Sequence, residues 1–175
     1  MNNSDIFEQK AIKSCAGFMA AAARTAPKTC GIDNVVVRVV EDQEVIKDLI
    51  RAMREIYKRI NRRTFERDSG NIENLETIFL IGVKNNPSGL NCGFCGSPTC
   101  EAQKSKGGVC AFNSIDLGIA IGSAVSIASR FHIDNRVMYS IGRAAMEMKL
   151  FGEDVVHAIG VPLSVTGKNP FFDRK

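Results

Sequence analysis

The chain has 175 residues, of which 45% are hydrophobic and 24% charged, and its net charge is +4 at pH 7. These fractions are typical of a soluble globular protein, and the length predicts one domain over residues 1–175. The charge is only mildly basic and no aromatic or Gly-rich recognition module accompanies it, which argues against nucleic-acid binding. No run of about 18 apolar residues lacks polar side chains, and the polar N-terminus has no signal-peptide pattern. We therefore expect a cytoplasmic protein that does not insert into a membrane.

The first part of the chain predicts a helix, a strand and a second helix. Ser4 or Asp5 is expected to cap the first helix, and Pro27 to end it, because proline disfavours a helical residue before it. The β-branched run at residues 35–40 predicts a buried strand, after which Asp42 caps the second helix. The residues predicted to face inward from the first helix are Phe7, Ala11, Cys15, Phe18 and Ala22.

The second helix combines an apolar stripe with a basic face. The apolar residues at helical spacing are Ile46, Leu49, Ile50, Met53, Ile56, Tyr57 and Ile60. The basic residues, which continue into the next segment, are Arg51, Arg54, Lys58, Arg59, Arg62, Arg63 and Arg67. Such a run is typical of a solvated helix face. It would also suit the docking of an acidic redox partner or of a phosphate-bearing ligand.

The second half of the chain predicts two more strands around a long apolar helix. Residues 67–71 predict a turn or mobile loop, and residues 77–83 a second buried strand. From Asp116 onward small and apolar residues cover every side of a helix, which predicts a helix buried all round, at the centre of the core or of a subunit interface. Asp134 is expected to cap a further helix, and residues 154–163 are expected to form a third strand. This order of elements predicts an α+β fold, an α/β sandwich.

Four of the six cysteines fall between residues 91 and 110, which we call the cysteine loop. They are spaced Cys-x2-Cys-x4-Cys-x9-Cys and are Cys92, Cys95, Cys100 and Cys110. Because thiols stay reduced in the cytoplasm, such clustering favours metal or redox chemistry over structural disulfides. The loop directly follows the second strand, so we expect it to be mounted at the end of a rigid core element.

The spacing favours an iron–sulfur cluster as the metal centre. A [4Fe-4S] cluster needs four thiolates, and Gly93 and Gly96 follow the first two cysteines, where the backbone must turn tightly. Zinc also takes four thiolates, but zinc ribbons present two Cys-x2-Cys pairs and the second pair is absent here. Zinc and a redox-active disulfide remain as alternatives.

The remaining cysteines and the histidines carry weaker signals. Cys15 lies on the predicted inner face of the first helix and is expected to be an inert, buried thiol. Cys30 is expected to be a spare, partly buried thiol, reactive only if it lies near the cluster. His132 and His157 have no acidic and nucleophilic partner at a recognisable spacing, which predicts structural roles.

The cysteine loop resembles the small iron–sulfur module of corrinoid iron–sulfur proteins and of some ion-pumping ferredoxin oxidoreductase subunits. The matching residues are Cys92, Cys95, Gly96, Cys100 and Cys110. Nearly the whole chain resembles uncharacterised prokaryotic proteins that contain a ferredoxin domain, through residues 22–28, 91–100, 116–124 and 160–174. This resemblance implies a cluster and no settled activity.

The chain is also similar to flavin-dependent nitroreductases. The similarity lies in Ala22 to Pro27 before the first strand, in the central helix from Asp116, and in Gly160 to Pro162 on the last strand. It implies a mixed sheet with a buried central helix, a homodimer built around that helix, and FMN. Two features depart from the pattern: the basic segment that grips the flavin phosphate before the first helix is replaced by Met-Asn-Asn-Ser-Asp, and the cysteine loop replaces an insertion that completes the flavin pocket.

Four basic residues are candidates for binding an anion or cofactor. They are Arg24, Lys28, Lys168 and Arg174, which follow a helix end or lie in the Gly- and Pro-containing tail. The leading hypothesis is thus an oligomeric iron–sulfur protein that exchanges electrons with a donor or acceptor protein. The alternatives are an FMN-dependent oxidoreductase in which the cluster feeds the flavin, and a zinc-stabilised interaction protein without redox function.

Overall fold

The computed structural model describes residues 3–172, which form six α-helices, a four-stranded sheet and one 3-10 turn, Thr29–Gly31. The helices are α1 (Asn3–Thr25), α2 (Gln43–Ile60), α3 (Arg63–Asn71), α4 (Cys100–Ser105), α5 (Ala111–Arg130) and α6 (Tyr139–Glu147). The strands are β1 (Val35–Val40), β2 (Thr77–Lys84), β3 (Asp134–Asn135) and β4 (Val155–Ser164). The α+β class is confirmed. The sheet has the order β1-β2-β4-β3, and its strand pairs are all antiparallel, where the nitroreductase resemblance implied a mixed sheet.

The sheet lies between two helical layers, and strand β2 supplies both cores. Successive side chains on a strand point to opposite faces. Phe79 and Ile81 therefore pack with α1 and α5, whereas Ile78 and Leu80 pack with α2, α3 and α6. Since both faces of β2 are covered, its sequence is a continuous apolar run rather than an alternating one.

Strand β1 has the bounds that the sequence predicts, but it is an edge strand. Among the described residues only β2 pairs with it, and its middle residues Arg38 and Val39 are exposed. Residues 77–83 and 154–163 were likewise predicted as strands and are confirmed to within one residue.

Helix α1 begins one residue before its predicted caps and buries a different face. Because α1 starts at Asn3, Ser4 and Asp5 lie within its first turn. Phe7 and Phe18, predicted to point inward, are 63% and 55% exposed. The buried residues are Cys15, Ala16, Met19 and Ala23. Small residues on this face let α1 approach the alanines of α5 closely, and the bulky rings are left outside.

Two predicted boundaries in the polar segments are wrong. Residues 67–71 are the end of α3 rather than a loop, because Asp68 is buried and accepts a hydrogen bond from the Ser140 hydroxyl of α6. Asp134 does not cap a helix. It pairs with Ser164 in the sheet and accepts a hydrogen bond from the Asn169 side chain, so α6 begins only at Tyr139.

The central helix α5 has one buried face and one exposed face, so it is not buried all round. The buried face carries Asn113, Asp116, Leu117, Ala120, Ala124 and Ala128. On the opposite face Ile115 and Ile119 are 43% and 41% exposed, beside Gly118 and Gly122, which are also exposed. Within residues 3–172, α5 is the one helix long and apolar enough to cross a membrane, by length and composition only. It has 20 residues, and an 18-residue stretch of it has a mean hydropathy of 1.4 and is 33% buried.

Helix α6 packs against β4 with almost no space between the two backbones. A Cβ atom at Gly142 would lie 1.9 Å from the Ala158 carbonyl oxygen, and one at Gly160 would lie 2.3 Å from Cγ2 of Ile141. Glycine at these two positions is therefore a requirement of the packing.

Candidate metal centre

The segment between β2 and α5 is closed at its base by a group of hydrogen-bonded asparagines. We call this group the asparagine clamp, and it consists of Asn34, Asn85, Asn86 and Asn113. The Asn86 side chain donates to Asn34 Oδ1 (3.1 Å), and the Asn86 backbone N–H donates to Asn113 Oδ1 (2.9 Å). Asn85 donates through Nδ2 to the Gly108 carbonyl (2.8 Å) and accepts from the Cys110 N–H (3.2 Å). The clamp thus joins the entry of the segment to its exit.

The clamp sets the position of the fourth cysteine. Cys110 is the N-cap residue of α5, is only 7% exposed, and is bound through its backbone N–H to Asn85. Asn113, on the buried face of α5, ties the first turn of that helix to Asn86. Cys110 is therefore held on the core, whereas the other three cysteines are carried by the loop.

The four predicted ligands line one cavity. Cys92, Cys95, Cys100 and Cys110 all contribute to its wall, together with Asn91 and Gln103. Cys92 is exposed, Cys95 and Cys100 are half-buried, and Cys110 is buried. The cavity therefore has one side toward the core and one side toward solvent.

Local hydrogen bonds shape the three-cysteine end of the loop. The Asn91 N–H donates to Cys100 Sγ (3.4 Å), and the Cys100 N–H donates to Asn91 Oδ1 (2.8 Å). Gly93 and Gly96 have φ values of 76° and 75°, in the left-handed region that favours glycine, so the predicted tight turns are confirmed. A backbone N–H that points at a sulfur atom stabilises the thiolate form, the form that binds metals.

An aromatic stack fixes the tip of the loop. Phe94, between the first two cysteines, is 70% exposed and stacks on Phe112 of α5, with ring centroids 5.4 Å apart and planes 14° from parallel. Stacked aromatic pairs contribute about 0.5–1.5 kcal/mol beyond the area that they bury. The loop is thus attached to the fold at its tip as well as at its base.

Gln103 is a site residue that the sequence analysis missed. Thr99 caps α4 by accepting from the Ala102 N–H, so Cys100 and Gln103 lie three residues apart on one helix face. Gln103 is 2% exposed, and neither its Oε1 nor its Nε2 has a hydrogen-bond partner in the described part of the chain. An unpaired buried polar group costs about 1–3 kcal/mol. The only sequence signal was a long polar side chain one turn after a cysteine.

The donor set suits an iron–sulfur cluster. Among residues 3–172, no three Cys, His, Asp or Glu side chains are grouped so that they would hold a metal ion. Four cysteines nevertheless line one cavity, and so does Gln103, whose buried amide has no hydrogen-bond partner among the described residues. Four soft sulfur donors, with N–H groups beside them, are the chemistry that a cluster of iron and sulfide requires.

Two of the four candidate anion-binding residues have structural roles. Lys28 is 4% exposed, and its ammonium donates to the carbonyls of Ala23 (2.6 Å), Arg24 (2.7 Å) and Ala26 (2.9 Å), so it caps the C-terminus of α1. Arg24 donates to Asp33 Oδ2 (2.5 Å) and to the Val35 carbonyl (2.9 Å). Both side chains hold the turn between α1 and β1 in place.

The carboxylate between these two cations has a shifted pKa. Burial alone would raise the pKa of Asp33. The hydrogen bonds from Arg24 and the Val35 N–H, with the charges of Arg24 and Lys28, outweigh burial and hold the pKa of Asp33 below its usual range. Nearby, buried Asp116 of α5 accepts from the Thr29 N–H and hydroxyl, which ties the same turn to the central helix.

The other two anion-binding candidates lie in the tail. Lys168 is exposed, and its carbonyl accepts from the Thr166 hydroxyl (2.6 Å). Arg174 lies outside the described residues. The structure does not bring Lys168 to the cavity of the cysteines, and a role of these residues in cofactor binding stays a prediction.

Most of the basic face of α2 and α3 is paired with carboxylates. The ion pairs are Arg51–Asp48, Arg54–Glu73, Lys58–Glu55, Arg59–Glu147 and Arg67–Asp68. Such local pairing is what a solvated helix face would show. It leaves less free positive charge for an acidic partner than the sequence suggested.

A second, larger groove begins one helical turn from the cysteine cavity. It has a volume of about 640 Å3 and lies between α5, α6 and the first residues of β4. Its polar side chains are Ser114, Tyr139, Arg143 and His157, and the rest of its wall is mostly apolar. Ser114 donates its N–H to the Cys110 carbonyl (3.4 Å), so the groove adjoins the residue that carries the fourth thiol.

The two remaining cysteines lie outside the cavity. Cys15 is buried between α1 and the sheet, as the sequence predicts, and burial raises the pKa of its thiol. Cys30 was predicted to be partly buried, but it is exposed, because it lies in the surface turn Thr29–Gly31, with a φ of 55°. Neither residue contributes to the cavity of Cys92, Cys95, Cys100 and Cys110.

Sequence comparison gives two matches. Residues 106–174 match a family described as "Uncharacterized protein containing a ferredoxin domain". An "Uncharacterized protein" of Archaeoglobus fulgidus is 40% identical over 99% of this chain and 97% of its own length. The match to that relative therefore includes the whole cysteine loop, whereas the family match includes Cys110 only.

Structure comparison gives nitroreductase-like folds. A nitroreductase family protein from Clostridium novyi NT has a TM-score of 0.65 at 17% identity, covering 91% of this chain and 76% of that chain. A BluB-like flavoprotein from Clostridium difficile 630 has a TM-score of 0.58 at 19% identity, over 89% and 81% of the two chains. A nitroreductase with bound FMN from Desulfitobacterium hafniense DCB-2 has a TM-score of 0.58 at 15% identity, over 89% and 78%. The nitroreductase-like fold that the sequence predicts is confirmed.

Proposed function

Because the chain belongs to the family of uncharacterised proteins that contain a ferredoxin domain, we propose that it is a redox protein that carries electrons through a [4Fe-4S] cluster. The observation that carries the proposal is that four thiols line one cavity in a loop braced at its base and tip. The proposed ligands are Cys92, Cys95, Cys100 and Cys110.

The chain's own residues would position and insulate such a cluster. When bound, it would supply one-electron transfer. The asparagine clamp holds one proposed ligand, Cys110, against the core. The N–H of Asn91 favours the thiolate form of a second proposed ligand, Cys100. The exposed side, at Cys92 and Phe94, is where an electron-donor or acceptor protein would approach. We place the protein in the cytoplasm, where these thiols stay reduced.

Anaerobic purification followed by iron and sulfide analysis tests the proposal. We expect about four iron and four sulfide per chain, with an EPR signal after reduction by dithionite. Cys92→Ser, Cys95→Ser, Cys100→Ser and Cys110→Ser should each lose most of the iron. Cys30→Ser, the matched control at an exposed cysteine away from the cavity, should keep it. A colourless protein with one zinc per chain would contradict the proposal.

A second candidate function is an FMN-dependent oxidoreductase. The fold shared with a nitroreductase that binds FMN, and the groove beside Cys110, favour it. Two of the four basic residues predicted to bind an anion or cofactor do not favour this function, because Lys28 and Arg24 are engaged in α1 and the following turn. Titration of the purified protein with FMN decides the matter: quenching of flavin fluorescence would support this function, and unchanged fluorescence would exclude it.

We also propose that the protein is a homodimer. The exposed face of α5 carries Ile115 and Ile119 beside Gly118 and Gly122, and this apolar surface would suit the packing of a second copy of the same helix. Exposed Phe18 and Phe131, stacked with ring centroids 5.7 Å apart at the end of α5, continue this surface onto α1.

A further inference from the structure

Gln103 lines the cysteine cavity and carries a side-chain amide whose hydrogen-bonding atoms are unpaired among the described residues. Its side chain is 2% exposed, so solvent does not satisfy it, and neither amide atom has a partner among the described residues. Buried side-chain polar atoms in folded proteins almost always have a partner. A buried amide with none therefore indicates a group that is absent from the bare chain.

Two backbone hydrogen bonds and a close glycine fix the position of Gln103. The Gln103 N–H donates to the Thr99 carbonyl (3.0 Å), and the Gln103 carbonyl accepts from the Gly108 N–H (3.1 Å). A Cβ atom at Gly108 would lie 3.3 Å from Gln103 Nε2, so glycine at this position leaves just enough room for the amide. The side chain is thus packed beside Gly108, and Gln103 lines the same cavity as the four cysteines.

We propose that Gln103 donates hydrogen bonds from Nε2 to a sulfur atom of the bound cluster and thereby raises its reduction potential. This inference rests on the proposed function. A primary amide has two N–H donors, and thiolate and sulfide are acceptors. Reduction adds one electron, supplied by an external donor, and hence one negative charge, without breaking a bond. N–H donors beside the sulfurs stabilise that added charge, so their removal lowers the potential.

The test compares Gln103→Met with wild type. Methionine keeps the length of the side chain and removes both donors. We expect unchanged iron and sulfide content and a more negative midpoint potential in an EPR-monitored dithionite titration. Gln103→Glu, which adds a negative charge at the same place, should have a lower potential than Gln103→Met. Gln43→Met makes the same chemical change at an exposed position of α2 and should leave the potential unchanged.

A measurement on the cluster-free protein excludes a purely structural role. If the amide has no partner within the chain, the metal-free Gln103→Met variant should melt at or above the temperature of the metal-free wild type, because an unpaired buried group has been removed. A clearly lower melting temperature would overturn the inference, as would a wild-type potential in the loaded variant. A wild type that binds no iron and sulfide would instead overturn the proposed function, and this inference with it.

Discussion

Asp33 contributes to stability only while it is ionised. Its pKa is held below the usual range by Arg24, the Val35 N–H and Lys28, although burial opposes them. A carboxyl whose pKa is lower in the folded chain stabilises the fold above its unfolded pKa of about 3.9, and this contribution is lost as the pH falls through the folded value.

We expect Asp33→Asn to lower the free energy of unfolding by about 1 kcal/mol at pH 7, because hydrogen bonds to charged groups are lost. As the pH falls through the folded pKa of Asp33, the difference between the variant and the wild type should disappear. Denaturant unfolding at pH 7 and at low pH measures both differences. Asp154→Asn is the control, since Asp154 is 79% exposed and its ion pair with Lys84 should contribute little at either pH. An equal loss at both pH values would contradict the prediction.

The two cysteines outside the cavity should differ in reactivity. Burial keeps reagents from Cys15 and raises the pKa of its thiol, so less thiolate is present at a given pH. Cys30 is exposed. In the native protein at pH 8, iodoacetamide should modify Cys30 and leave Cys15 unmodified until the chain is unfolded in urea. Peptide mass spectrometry measures both sites, and Cys15 modified as fast as Cys30 would show that the core around α1 is open.

The sequence alone was enough to predict part of the candidate metal centre, namely the cysteine loop. The spacing of the four cysteines and the glycines after two of them predicted the loop and its tight turns, since these are properties of a short stretch of sequence. Gln103 and the asparagine clamp could not be predicted in this way. The partners of the clamp are 23 to 52 residues apart, so its hydrogen bonds exist only once the sheet and α5 are assembled.

At the scale of elements, the contact between α6 and β4 depends on the absence of a side chain. Gly142→Ala would push a methyl group into the Ala158 carbonyl, and we expect it to destabilise the protein by about 3 kcal/mol or to prevent folding. Gly17→Ala is the matched control, because Gly17 lies in α1 and a Cβ atom there would have nothing within 4 Å of it. That change should raise stability by up to about 1 kcal/mol. Thermal unfolding of both variants checks the pair, and a Gly142→Ala variant as stable as wild type would contradict the packing described above.

Elements with a strong apolar pattern were predictable, and short polar ones were not. The strands at residues 35–40, 77–83 and 154–163 and the cap at Asp42 were confirmed, because β-branched runs and capping residues act locally. Helix α3 was missed because its stability depends on burying Phe65 and Asp68 against other elements. The inner face of α1 was wrong because close packing on α5 selects alanines over phenylalanines.

At the scale of the whole molecule, we expect two copies to associate through α5. Wild type should then elute with about twice the chain mass of 19.1 kDa in size-exclusion chromatography with light scattering. Ile119→Arg should give a monomer, because it places a charge in the middle of the apolar face. Ile60→Arg makes the same change at an equally exposed isoleucine on the opposite helical layer, and it should stay dimeric. A dimer that survives Ile119→Arg would place the interface elsewhere.

The layer arrangement follows from sequence only in outline. The alternation of helices and strands predicted a sheet covered by helices, but the order β1-β2-β4-β3 and the antiparallel pairing depend on contacts between β2 and β4, which are distant in sequence. The exposed half of α5 is as rich in small and apolar residues as its buried half. The sequence therefore could not show which half of α5 is buried, and the structure was needed to show it.

The asparagine clamp has a consequence for how this chain can vary. Since the clamp brings the entry and the exit of the cysteine-bearing segment together, residues 87–107 form an excursion that starts and ends at almost the same place on the scaffold. The entropy of closing such a loop grows only with the logarithm of its length. Residues 87–107 can accordingly be lengthened, shortened or replaced by another loop without a change in the order of the strands. This segment is therefore a suitable position for inserting a different loop into the fold.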